Sequence, residues 1–174
     1  MENDYRKQIP ENYPPDSRIW IYQSDRKLLP AEAEAITLDL DQFCSQWKSH
    51  GAAVKALGRI LMNRFIILIA DEREASVSGC STDSSVKAMQ SLEEKYQLRL
   101  FDRMQIAFLT ENDVITFPLH EVAQAFTQGH IDWETPVFNN SITNLKDLSE
   151  SWTVPLKESW LAAKIRKAVG LLPS

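Results

Sequence analysis

Phe65-Ile66-Ile67-Leu68-Ile69-Ala70 is an unbroken apolar run between Arg64 and Asp71, and it constrains the fold more than any other stretch. Six successive apolar residues leave no wet face to a strand, so this one has to lie in the middle of a sheet with both sides covered. Val54 to Leu61 precedes it across Met62-Asn63-Arg64 and is expected to pair with it antiparallel. Covering both faces needs amphipathic partners. With 44% of its 174 residues hydrophobic, the chain has the apolar material for them.

The first partner is a helix with Pro30 at its start. Ala33, Ile36, Leu40, Phe43 and Trp47 recur at steps of three and four, and Gly51 is the expected stop. Arg18 to Gln23 is β-branched and aromatic and predicts a strand before it. Ser81 or Thr82 is the expected cap of a second helix running to about Gln97, with Val86, Met89, Leu92 and Tyr96 inward. Met104–Leu109 and Val114–Phe117 predict a hairpin around Thr110-Glu111-Asn112-Asp113. A short helix over Leu119–Gln128 is ended by Gly129, and a last helix spans Leu156–Val169, with Leu161, Ile165, Ala168 and Leu172 apolar. The order β-α-β-β-α-β-β-α predicts an α+β fold, a mainly antiparallel sheet with helices packed on it. One domain is expected over 17–174. Residues 1–16, with Pro10, Pro14 and Pro15, are expected to form an extended arm.

Charge and spacing exclude more than they select. The net charge is −5 and the pI near 5.2, which disfavours duplex nucleic acid as a partner. Two cysteines make no disulfide framework. No apolar run is long enough to span a membrane, and Met1-Glu2-Asn3-Asp4-Tyr5 lacks the order of a signal peptide, so a cytoplasmic protein is expected. The five glycines, Gly51, Gly58, Gly79, Gly129 and Gly170, lie too far apart for a phosphate loop or a dinucleotide-binding turn. The Gly-x-Ser-x-Gly nucleophile elbow is missing as well. The three histidines, His50, His120 and His130, have no metal-ligand spacing, so no metal and no cofactor is expected. Asp71, Glu72 and Glu74, with Asp83 or Asp102, are the carboxylates from which a hard-cation site would be built.

Chemistry concentrates in Ser78-Gly79-Cys80-Ser81-Thr82-Asp83-Ser84-Ser85. First-turn amides and the helix dipole favour anions, and hydroxyls would add donors around a phosphate or nucleotide. Gly79, Cys80, Ser81, Thr82, Ser84 and Ser85 are the candidate anion-binding residues. The competing reading is a helix cap with ordinary turn residues. Cys80 is the candidate nucleophile or redox sensor, with a histidine as base. Its alternative is a packed thiol, the expected role of Cys44. Trp133, Phe138, Trp152 and Trp160, among Asn139, Asn140 and Asn144, either line a ligand or partner surface or clamp irregular chain onto the sheet. Lys157, Lys164, Arg166 and Lys167 mark a basic helix that lies on a partner or anionic lipid, or is simply solvated.

Several segments together resemble an uncharacterised bacterial family of small single-domain proteins. They are Ser17–Gln23, Trp47 with His50-Gly51, Arg64-Phe65-Ile66-Ile67, Ser78–Val86, Phe101-Asp102-Arg103-Met104, Val137-Phe138-Asn139-Asn140, and Trp152 with Pro155. The likeness covers about residues 17–160. The family is often labelled "ABC transporter ATPase", a label that implies the phosphate loop excluded above. The resemblance thus implies a family and no mechanism. The leading expectation is a binding or adaptor protein without catalytic activity, whose partner is an unknown protein or a small anionic ligand; a homodimer through a strand edge or the last helix is a further expectation. The alternatives are an enzyme or redox sensor using Cys80, and phosphate or nucleotide binding at Ser78–Ser85.

Overall fold

A computed structural model describes residues 5–111 and 113–170 of the chain. Antiparallel sheets carrying helices confirm the α+β class, and the described residues group into two compact units. Unit one takes in the chain to Phe101 together with Asn140–Ser149. Unit two takes in Asp102–Asn139 and the chain from Glu150 onward. Each has its own sheet and core.

Unit one is built on β1 (Arg18–Gln23), β4 (Lys55–Leu61) and β5 (Phe65–Asp71), in the order β1-β5-β4, all antiparallel. The apolar run is the central strand, and all seven of its residues are buried. Ile66, Leu68 and Ala70 join clusters with residues of α1 (Pro30–Gln46) and α2 (Gly79–Tyr96), among them Ile36, Leu40, Met89 and Leu92. Phe65, Ile67 and Ile69 on the other face are buried as completely. In the three-residue connection after β4, Met62 and Asn63 both have positive φ, 55° and 50°, and the Arg64 amide donates to the Leu61 carbonyl at 3.1 Å, the backbone of a turn with two left-handed central residues. Gly58 lies where α1 crosses β4: a Cβ there would meet the Leu40 Cβ at 2.6 Å. Glycine therefore sets how closely helix and strand approach.

Four local expectations change. First, α1 ends at Gln46 rather than at Gly51. Lys48–Ser49 (β2) and Ala52–Ala53 (β3) pair as a small hairpin, with His50 and Gly51 at φ 49° and 84° in its turn. Second, α2 is capped by Ser78, not by Ser81 or Thr82. Third, residues 5–16 are no extended arm: Tyr5–Gln8 forms a 3-10 turn, and Tyr5 and Tyr13 are 4% and 9% exposed. The two rings supply the burial that the prolines gave no sign of. Fourth, the last helix is broken, as described below.

In unit two, β6 (Gln105–Leu109) and β7 (Val114–Pro118) form the expected hairpin. Asn112 in its turn lies outside the described residues. The sheet continues through β8 (Pro136–Phe138) and β9 (Thr153–Pro155), in the order β7-β6-β8-β9. Helix α3 (Val122–Thr127) precedes β8; α4 (Leu145–Glu150), which follows β8 in the chain, belongs to unit one except for its last residue. The expected single last helix is a 3-10 turn, Leu156–Glu158, followed by α5 (Leu161–Ala168). Extended backbone at Ser159 (φ −83°, ψ 164°) separates them. Leu161 and Ile165 are buried with Phe108, Val122, Ile131 and Leu156. Ala168 is exposed and Leu172 lies outside the described residues.

Candidate functional site

The hydroxyls of Ser78–Ser85 are engaged in holding α2. Ser78 Oγ accepts from the Ser81 amide at 3.3 Å and lies 2.8 Å from Ser81 Oγ. Thr82 Oγ1 donates to the Ser78 carbonyl at 3.0 Å. Ser84 Oγ and Ser85 Oγ donate to the Ser81 and Thr82 carbonyls, both at 2.7 Å. Such back-bonding is the usual fate of short hydroxyl side chains on a helix. The first turn is fastened to the β2–β3 hairpin. Ser81 Oγ donates to the Lys48 carbonyl, the Ser78 amide donates to Ser49 Oγ, and the Trp47 indole donates to the Ser81 carbonyl at 3.0 Å. Ser81 and Ser85 are buried.

Of the candidate anion-binding residues, only Gly79 and Cys80 lie open to solvent with amides that meet no acceptor among the described residues. Nothing comes within 4 Å of a Cβ placed on Gly79. These are two of the first-turn amides that every helix leaves unbonded. The Cys80 thiol is exposed. His50 follows Ser49 in the hairpin turn, yet no hydrogen bond joins it to Cys80. Cys44 is the packed thiol expected, and burial pushes its pKa up to about 12.

Several carboxylates are likewise engaged. Asp71, buried at the end of β5, takes two hydrogen bonds from the Arg73 guanidinium (2.6 and 2.9 Å) and one from Lys55 (3.2 Å). The Arg73 bonds above all hold its carboxyl well below the usual carboxylate range. Glu72 accepts from the Val77 amide at 2.7 Å. Glu32 takes a bidentate bond from Arg26 (2.7 and 2.8 Å) and one from the Leu29 amide, which hold it at about 2. Asp39, despite the cost of its burial, is held low by Lys95 and Tyr96. Among the described residues, no three His, Cys, Asp or Glu side chains converge as metal ligands.

The aromatic segment after Gly129 divides by residue. Trp152 is buried against Phe138, ring centroids 4.8 Å apart. Trp133 is half-buried against Phe126 at 4.6 Å, with the Arg166 guanidinium over its ring. Asn144 caps α4, its Oδ1 accepting from the Asp147 amide, and Asn140 donates to Gln23 Oε1. These side chains clamp irregular chain. Trp160 stands apart: it is 60% exposed at the cap of α5, one turn before Lys164 and two before Lys167. Lys164 and Lys167 are exposed and make no ion pair among the described residues. Lys157 is paired with Glu134 at 2.8 Å. By composition alone Trp160 falls in one group with Trp133, Phe138 and Trp152. The available signal was its place just ahead of the apolar stripe Leu161, Ile165, which turns it away from the core.

No family model, curated protein or solved structure matches the chain. No helix among the described residues is long and apolar enough to cross a membrane.

Proposed function

We propose that this chain works by binding, as an adaptor or docking protein, and that it binds through the α5 face carrying Trp160, Lys164 and Lys167. The carrying observation is the exposure of Trp160. Trp47 and Trp152 are buried, Trp20 and Trp133 half-buried, and only Trp160 among the five is open. A tryptophan held on an ordered helix end is of the residue type enriched at interface hot spots, and the unpaired ammonium groups beside it supply positive charge. The chemistry it fits is an acidic partner that offers an apolar group. A lipid surface fits less well, because the apolar stripe of α5 (Leu161, Ala162, Ile165) is already buried in unit two and leaves no face to insert.

The test is titration with an acidic, aromatic copolymer of glutamate and tyrosine, followed by anisotropy of the labelled protein. Binding that Trp160→Ala and the pair K164E/K167E both abolish supports the reading. A wild-type chain that ignores the copolymer, or a Trp160→Ala variant that binds as well as wild type, removes it.

One observation favours a second reading, a thiol-based redox or anion site at the start of α2: the Cys80 thiol is exposed beside the unbonded Gly79 and Cys80 amides. Alkylation of Cys80 that inorganic phosphate slows would support it. Alkylation indifferent to phosphate would reduce this corner to a helix cap.

A further inference from the structure

Only five large apolar side chains among the described residues are well exposed, and two of them sit in matching charged surroundings. Leu38 on α1 is 69% exposed between Glu34 and Asp41, while Trp160 leads Lys164 and Lys167 on α5. In both triads the residues fall at i, i+4 and i+7, which places them on one face of a helix. All four charges are exposed and lack an ion-pair partner among the described residues, although the other two acids of α1, Glu32 and Asp39, are both paired. The basic face stands out in an acidic chain. From Lys157 to Gly170 there are four basic residues against one acidic, a net +3, whereas the whole chain carries −5.

We infer that the partner of the Trp160 face is a second copy of this chain, which presents its Glu34-Leu38-Asp41 face. This rests on the binding reading above and names its partner. The complementarity has two parts. Two carboxylates meet two ammonium groups, and the Leu38 side chain gives the indole an apolar surface on which to lie. The exposed charges alone would contribute little, and the two apolar groups alone would bury little area. Together they make a weak contact that depends on salt. Because the two faces are different surfaces of one chain, the contact is head-to-tail. Its signature is loss of monomer rather than one fixed closed number.

Sedimentation velocity of the full chain tests this, at about 50 mM and about 500 mM salt, where the screening length falls severalfold. The expected result is association at low salt that weakens on the order of tenfold at high salt. E34K/D41K and K164E/K167E should each remove association alone, and mixing the two variants should restore it. All four positions are exposed, so melting temperatures should match wild type and serve as the folding control. A wild-type chain that stays monomeric at low salt, or a mixture that fails to reassociate, overturns the inference. If the monomer still binds the glutamate–tyrosine copolymer through Trp160, the second copy is wrong and the binding reading stands. If copolymer binding is lost as well, both fall.

Discussion

The start of α2 and the start of α5 differ both in the side chains they carry and in what they leave unused. Ser78–Ser85 is crowded with donors, yet the structure engages its hydroxyls in capping, back-bonding and attachment to the β2–β3 hairpin. Around Trp160 there are few polar groups, but the indole and the two lysines beyond it are committed to nothing among the described residues. Abundance of functional groups is thus a poor guide to a site. Availability is the better one, and it depends on what the rest of the fold requires of each group.

The comparison can be broken most severely at its two tryptophans. Trp47 is 3% exposed and its indole bonds the Ser81 carbonyl, so Trp47→Ala should cost about 3–5 kcal/mol, read by chemical denaturation. Gly58→Ala comes next. It forces α1 away from β4 at Leu40, whose Cβ is fixed to the helix backbone, and should cost about 1–3 kcal/mol by the same method. Ser78→Ala removes a helix cap and should cost about 1 kcal/mol. Trp160→Ala should stay within about 0.5 kcal/mol of wild type. Reversing the order of Trp47 and Trp160 would invert the comparison.

Acid titration sharpens the same contrast. Asp71 and Glu32 are both held below their ordinary values in the folded state. Their contribution is therefore complete at neutral pH, and it declines once the pH drops below the normal carboxylate value near 4, toward the Glu32 value of about 2 and lower for Asp71. Thermal melts from pH 7 to pH 2 should fall steeply in that window. Asp71→Asn should begin less stable at pH 7 and fall less. A parallel acid limb in the variant would show that Asp71 is not the group responsible.

How much of this was legible follows from where the information sits. The central strand, its hairpin partner and the α1 stripe were readable, because periodicity and an unbroken apolar run are local signals of burial. The β2–β3 hairpin was hidden by its size, two residues a side with a histidine in its turn. The burial of Tyr5 and Tyr13 was hidden because prolines dominate the local signal. The break at Ser159 was masked by good helix formers on both sides. At the candidate sites, the sequence lists residue types but not their engagement. That Ser81 Oγ meets the Lys48 carbonyl and Trp47 meets Ser81 is set by contacts more than 30 positions apart. No local pattern encodes those contacts. Exposure of Trp160 is of the same kind, since it depends on which face of α5 the β6–β8 core covers.

The most direct test sets Ser78→Ala beside Trp160→Ala and measures two quantities on each, melting temperature and binding of the glutamate–tyrosine copolymer. The account predicts a clean crossing. Ser78→Ala should lower the melting temperature by several degrees and leave binding unchanged, while Trp160→Ala should leave the melting temperature unchanged and abolish binding. A Ser78→Ala variant that loses binding while Trp160→Ala retains it would move function to the start of α2 and contradict the account.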